Sequence, residues 1–161
     1  MSYWRSIITE SYNTGISEDV SPVFRDPVDP LIIERAEQQL HVKLPEALIT
    51  LYQESNGVIN NLNYKGKDIE TGYFLWPLER VITENLHLRS WSEFKNMYMP
   101  FENLLFFADA GNGDLFAFVI LNGSIWKQDV FSWNHEDDSR NWVAPSLQTF
   151  IDWRRKGKIT T

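Results

Sequence analysis

The stretch Leu104-Leu105-Phe106-Phe107-Ala108-Asp109-Ala110-Gly111-Asn112-Gly113-Asp114-Leu115-Phe116-Ala117-Phe118-Val119-Ile120-Leu121-Asn122-Gly123 decides the fold class. Two apolar runs, Leu104 to Ala108 and Leu115 to Leu121, flank a glycine-rich connection and read as adjacent antiparallel strands. Asn122-Gly123 then predicts a two-residue reverse turn, because a hairpin of matching twist needs positive φ there. Ser124 to Phe131 is expected to return as a third strand. Further on, a closing helix is expected from about Pro145, with Leu147, Phe150, Ile151 and Arg154 recurring at i, i+3, i+4 and i+7.

On the N-terminal side, helices come first. Asp29-Pro30 is a helix start, since the carboxylate accepts from free first-turn amides and proline at the first helical position sacrifices nothing. Ile32, Ile33, Ala36 and Leu40 supply its buried stripe, and it is expected to end near His41. Leu44-Pro45 opens a second helix, with Leu48, Leu51 and Tyr52 facing the core and Asn56-Gly57 as a left-handed cap. An earlier helix is expected from Tyr3 to Tyr12, with Trp4, Ile7, Ile8 and Ser11 on one face. From there to Pro30, the restrictions imposed by Pro22, Pro27 and Pro30 predict loop. Gly72 to Trp76 suits a short buried strand, and Pro77 to Met97 has helical spacing (Val81, Ile82, Leu86) for one helix or two. Helices, then antiparallel strands, then a closing helix define a single α+β domain over residues 1–161, an antiparallel β-sheet backed by helices.

Of the 161 residues, 43% are hydrophobic and 14% aromatic, ample for one core and too apolar for a disordered chain. No apolar run approaches the ~20 residues that span a bilayer. Met1-Ser2-Tyr3-Trp4-Arg5 has no basic patch leading an apolar stretch, so neither a membrane segment nor a signal peptide is expected. The absence of cysteine excludes disulfides, thiolate metal sites and cysteine nucleophiles, and a cytoplasmic location is expected. Fifteen lysines and arginines stand against 22 acids, a net charge of -7. Four of the basic residues, Arg154, Arg155, Lys156 and Lys158, fall after Trp153, which leaves 11 against 22, or -11, for the rest. Their place at the end of the closing helix complements its dipole. So acidic a body repels phosphate backbones, and a basic protein suits it better as a partner than nucleic acid does.

Two polar segments carry the candidate site. A calcium loop at Asp109 to Asp114 would need oxygen side chains at its third and fifth positions, where Gly111 and Gly113 stand. A phosphate cradle would end in Gly-Lys-Ser/Thr, which is absent. The loop therefore reads as a tight strand connection, and its functional alternative is a binding loop with Asp109, Asn112 and Asp114 facing a partner. Trp133-Asn134-His135-Glu136-Asp137-Asp138-Ser139-Arg140 is the densest polar cluster. A zinc hydrolase of the His-Glu-x-x-His type would need histidine where Ser139 stands, and His41, His87 and His135 lie in separate elements, so no metal is expected. No Gly-x-Ser-x-Gly elbow is present, and neither catalytic residues nor a cofactor are expected. The functional alternative to a solvated loop is an acidic patch of Glu136, Asp137 and Asp138, with His135, beside Trp133: charge for steering and an aromatic anchor for affinity. A small-ligand or enzymatic pocket near Trp76 and His135 is the competing reading from another class.

Taken in order, Ile33, Glu37, Leu40 and Leu44-Pro45-Glu46-Ala47-Leu48-Ile49-Thr50-Leu51-Tyr52-Gln53-Glu54-Ser55-Asn56-Gly57 resemble the signature of the SUKH superfamily. That group includes a fungal cell-wall-assembly regulator and many bacterial immunity proteins. The similarity continues through Trp76-Pro77-Leu78, the Asp109 to Asp114 loop with Leu115-Phe116-Ala117-Phe118, the Trp133 and His135-Glu136 segment, and Ala144-Pro145-Ser146-Leu147 with Phe150. The resemblance implies an α+β domain that acts as an intracellular binding module without catalysis. Bacterial members are commonly encoded beside polymorphic toxins and are thought to neutralise a partner toxin, often a nuclease, by binding it. The helical signature is expected to serve the fold, with Leu44, Leu48, Leu51 and Tyr52 as core. The leading expectation is an immunity-type protein that meets a toxin of basic surface through both polar segments, and an adaptor for an endogenous regulatory protein is the alternative.

Overall fold

A computed structural model describes residues 2–161. The first helix, α1 (Tyr3–Asn13), buries Trp4, Ile8, Ser11 and Tyr12, with Ile7 half covered at the edge of that face. Strand β1 (Val20–Phe24) then crosses the segment where prolines predicted loop. Pro22 is tolerated because β1 is the edge of its sheet, where one flank needs no donor. Helix α2 (Pro30–Leu40) starts at Asp29, whose carboxylate accepts from Leu31 N at 2.8 Å, and stops at His41 in the left-handed conformation. It buries Ile33, Ala36 and Leu40, but Ile32 stays exposed. Glu37 is recruited instead, accepting from Leu44 N at 2.7 Å just ahead of α3 (Glu46–Tyr52).

The antiparallel strands divide into two sheets. Strands β2 (Val58–Tyr64) and β3 (Lys67–Leu75) complete the order β1-β2-β3. Most of this hairpin carries no sequence signal: every residue from Asn63 to Gly72 is exposed, so burial imposes no alternation there. Helix α4 (Leu78–Ser90) and a short 3-10 helix (Ser92–Asn96) occupy the expected helical region. Strands β4 (Leu104–Asp109), β5 (Leu115–Val119), β6 (Val130–Trp133) and β7 (Arg140–Ala144) form the second sheet in chain order. Trp76 N donates to Phe107 O at 3.0 Å and ties the two sheets together. Asn122 and Gly123 do make the tight turn, at φ 51° and 75°, and bridge Leu121 to Ser124. The expected strand from Ser124 does not follow, however. The Trp126 indole folds back to donate to Leu121 O, the polar Lys127-Gln128-Asp129 breaks the apolar run, and pairing resumes only at Val130.

Helix α5 (Leu147–Arg155) lays Phe150 edge-on against Phe107 and Phe116. Arg154 continues that stripe inward. Its guanidinium donates to the carbonyls of Phe74 and Asp109, one on each sheet, and lies 4.6 Å from the Phe74 ring centre. Burial pushes its pKa down to about 10. Arg154 is therefore an internal strut, not the dipole counter-charge that its place in the sequence predicts.

The residues Asn56-Gly57 lie beyond the end of α3 and do not cap it. Gly57 has φ 81°, and a Cβ there would stand 2.8 Å from both Leu75 O and Pro77 N. Asn56 accepts from Leu78 N at 2.7 Å and donates to Glu79 at 2.8 Å, while Tyr52 Oη donates to Trp76 O at 3.0 Å. The end of the helical signature thus grips Trp76-Pro77-Leu78, where β3 turns into α4. Leu44, Leu48, Leu51 and Tyr52 are buried, as expected. Asn85 then locks α4 onto β4, exchanging hydrogen bonds of 2.8 Å with both Phe106 N and Phe106 O.

Candidate partner-binding surface

The glycine-rich loop closes between β4 and β5 through Ala110 N to Asp114 O at 2.9 Å. Gly113 is needed at φ 105° and by space, since a Cβ would fall within 3.0 Å of the His135 ring. That contact brings the two candidate segments together. Asp114 Oδ1 accepts from both His135 N (3.1 Å) and His135 Nδ1 (2.7 Å), and Asn112 Oδ1 accepts from Asp114 N. Burial alone would raise the Asp114 pKa, but the hydrogen bonds from His135 and Asn112 outweigh it and hold the carboxyl below the ordinary aspartate range.

The second segment is the connection between β6 and β7. Asn134 accepts from Glu136 N at 2.8 Å, Asp137 from Ser139 N at 2.9 Å, and Asp138 takes φ 61° to turn the chain. The Asp138 carboxylate accepts from the Trp133 indole and from Met99 N, both at 2.7 Å, and lies 3.4 Å from Arg140 Nη2. Tyr98 Oη donates to His135 O at 2.8 Å. The turn is therefore pinned to Tyr98 and Met99, just beyond the 3-10 helix.

These geometries redistribute the expected site. Trp133 is only 4% exposed and packs edge-on against Phe101 and Tyr98, so it cannot serve as an open aromatic anchor. Asp114 and Asp138 are spent on internal donors. Asp109 faces the opposite flank, where Trp76 Nε1 (2.8 Å) and Arg80 (3.3 Å) engage it. The buried Trp76 also offers no open wall to a ligand pocket beside His135. Asn112, Glu136 and Asp137 face solvent, with the His135 side chain 41% exposed beside them. The residues missed by sequence reading are the ones that consume charge: Arg140, only two residues from Asp138, and Arg80, which meets Asp109 from a distant part of the chain and leaves no local signal.

Hydrogen bonds from Ser139 keep the Asp137 carboxyl below its usual pKa. Among the described residues, no three His, Asp or Glu side chains gather as metal ligands. No helix among them is long and apolar enough to cross a membrane.

Comparison with curated proteins finds no match. The family model of the SMI1 / KNR4 family (SUKH-1) matches residues 27–153. That span runs from ahead of α2 into α5 and takes in the Asn56-Gly57 clasp, the Trp76-Pro77-Leu78 segment it grips, both polar loops and Phe150. Helix α1 and strand β1 lie outside it, although Trp4, Ile8 and Tyr12 belong to the same core. With most of its length matched and an α+β architecture of two antiparallel sheets and five α-helices among the described residues, the chain belongs to the SMI1 / KNR4 family (SUKH-1).

Proposed function

We propose that this chain is a non-catalytic, immunity-type protein of the cytoplasm that neutralises a toxin domain of basic surface. Family membership favours protein binding, and one observation carries the rest. Glu136 and Asp137 are solvent-facing carboxylates with no cationic group within 4 Å among the described residues, on a turn held by side-chain bonds to its own backbone. Rigid, unpaired charge is what an inhibitor of a basic cleft requires: it accelerates encounter and loses little entropy on docking. His135 borders the same face and supplies a hydrogen-bonding group, and Asn112 flanks it, with its side chain engaged by Asp114 and Thr161. Asp109, Asp114, Trp133 and Asp138 act from behind, by holding the two loops in place.

The test is co-purification from native cells at low and high salt, using wild type and a Glu136→Lys, Asp137→Lys variant. The expected result is one basic protein retained by wild type, released by salt and lost by the variant, whose enzymatic activity is blocked by stoichiometric wild type. A captured protein whose own activity is untouched by binding would point to the adaptor role. Equal retention by both forms would remove the acidic turn from the interface.

A further inference from the structure

On the other part of the second sheet, the face that carries Phe106 and Trp133 is covered at one end by Tyr98 and Phe101 and left open at the other. The open end is a groove of roughly 380 Å³ between Trp126, Trp142, Phe131 and Leu121, with Asp129 and Lys127 at its rim. Trp126 is 72% exposed, Leu121 56% and Trp142 50%, a concentration of apolar surface that a solitary domain has no reason to keep. Both indoles are fixed by their N–H groups, Trp126 on Leu121 O at 2.9 Å and Trp142 on Asp129 Oδ1 at 2.8 Å. With the N–H groups occupied, the indoles have only their π faces to offer a ligand, Trp126 freely and Trp142 on the part not engaged by Trp153, whose ring stands edge-to-face with it at 6.3 Å. Asp129 has its second oxygen left to offer.

We infer that this groove receives an arginine side chain of a protein partner, stacked on the Trp126 and Trp142 indoles with Asp129 as its counter-charge. Electron-rich faces beside one carboxylate oxygen match an organic cation. A guanidinium fits better than an ammonium, because it is flat, weakly hydrated and able to stack while donating in its own plane to a carboxylate. The net charge of -7 favours the same sign of ligand. Lys127 opposes it, but its ammonium ends a flexible stem and makes no ion pair within 4 Å among the described residues, so it is free to swing away. The inference rests on the protein-binding reading in general and not on the acidic turn, which lies on separate residues.

The experiment follows the seven tryptophan indole N–H resonances by NMR in the full chain during titration with Nα-acetyl-arginine N-methylamide. The neutral citrulline analogue and the lysine analogue serve as comparators. Expected is a saturable shift confined to Trp126 and Trp142, with citrulline binding about tenfold more weakly. Asp129→Asn keeps the acceptor for the Trp142 indole while removing the charge, and is expected to weaken arginine binding about fivefold. Lys127→Ala is expected to strengthen it. Equal binding of citrulline, indifference to Asp129→Asn, a lysine analogue that binds more tightly than arginine, or no saturable shift would each overturn the assignment. None of these outcomes depends on Glu136 or Asp137, so the acidic turn stands or falls by its own test.

Discussion

The clasp at Asn56-Gly57 and the turn from Asn134 to Ser139 are assembled from the same parts. Each uses an asparagine side chain that accepts from a backbone N–H, Leu78 in one and Glu136 in the other. Each has a residue at positive φ, Gly57 at 81° and Asp138 at 61°, and each is tied down by a tyrosine hydroxyl donating to a carbonyl. They differ in what is left over. Asn56 spends its other end on Glu79, which Arg25 also engages at 3.0 Å, so the clasp ends with its polar groups paired. The turn ends with Glu136 and Asp137 facing water and without an ion-pair partner among the described residues. The same hydrogen-bond chemistry builds a joint in one place and displays charge in the other, according to whether the surplus groups meet partners in the fold.

Substitutions on either side probe that contrast, and the largest effect is expected in the clasp. Gly57→Ala forces a Cβ into backbone at an unfavourable φ and should cost about 3 kcal/mol or more in denaturant unfolding. A loss below about 1 kcal/mol would mean the clasp yields as easily as a surface turn. Next comes Asp138→Ala, which strands the Trp133 indole and Met99 N and places alanine at positive φ, for about 2 to 3 kcal/mol. Asp138→Asn keeps an acceptor and tolerates that φ, so it should lose clearly less; equal losses would show that charge, not geometry, holds the turn.

A smaller effect separates the loop's buried acid from its exposed ones through pH. The folded-state pKa of Asp114 is depressed, so its stabilisation is complete above the unfolded aspartate value of about 4 and is lost as pH falls through the lower folded value. Asp114→Asn should therefore be less stable by about 1 to 2 kcal/mol near neutrality, with the gap to wild type narrowing in acid. A gap that stays constant with pH would remove the ion from the account. Smallest of all, Glu136→Gln should shift stability by no more than about 0.5 kcal/mol while weakening capture of a basic partner. A large stability loss there would erase the distinction between joint and display.

Legibility in the sequence followed the range of the interaction. The start of α2 at Asp29-Pro30, the stripe of α5 and the Asn122-Gly123 turn rest on groups a few residues apart, and all three stand in the structure. The exposed part of the β2–β3 hairpin shows no periodicity, because neither of its faces meets a core. Strand β1 was masked by Pro22, which is harmless only at an edge, and edge position is a property of the assembled sheet. Among the candidate site residues, the kinship of the two polar segments was readable, but their division of labour was not.

Composition, periodicity and the ordered helical signature thus determined an α+β domain of this family, with an acidic excess and the two polar loops that carry part of it. Tertiary structure alone decided which carboxylates remain available. Asp109 meets Trp76 across 33 residues, Asp114 meets His135 across 21, and Asp138 meets Met99 across 39. A side chain's charge is written in its own residue type, but its pairing depends on groups brought near only when distant segments pack. Glu136 and Asp137 stay free because, among the described residues, no such segment brings a cation to them.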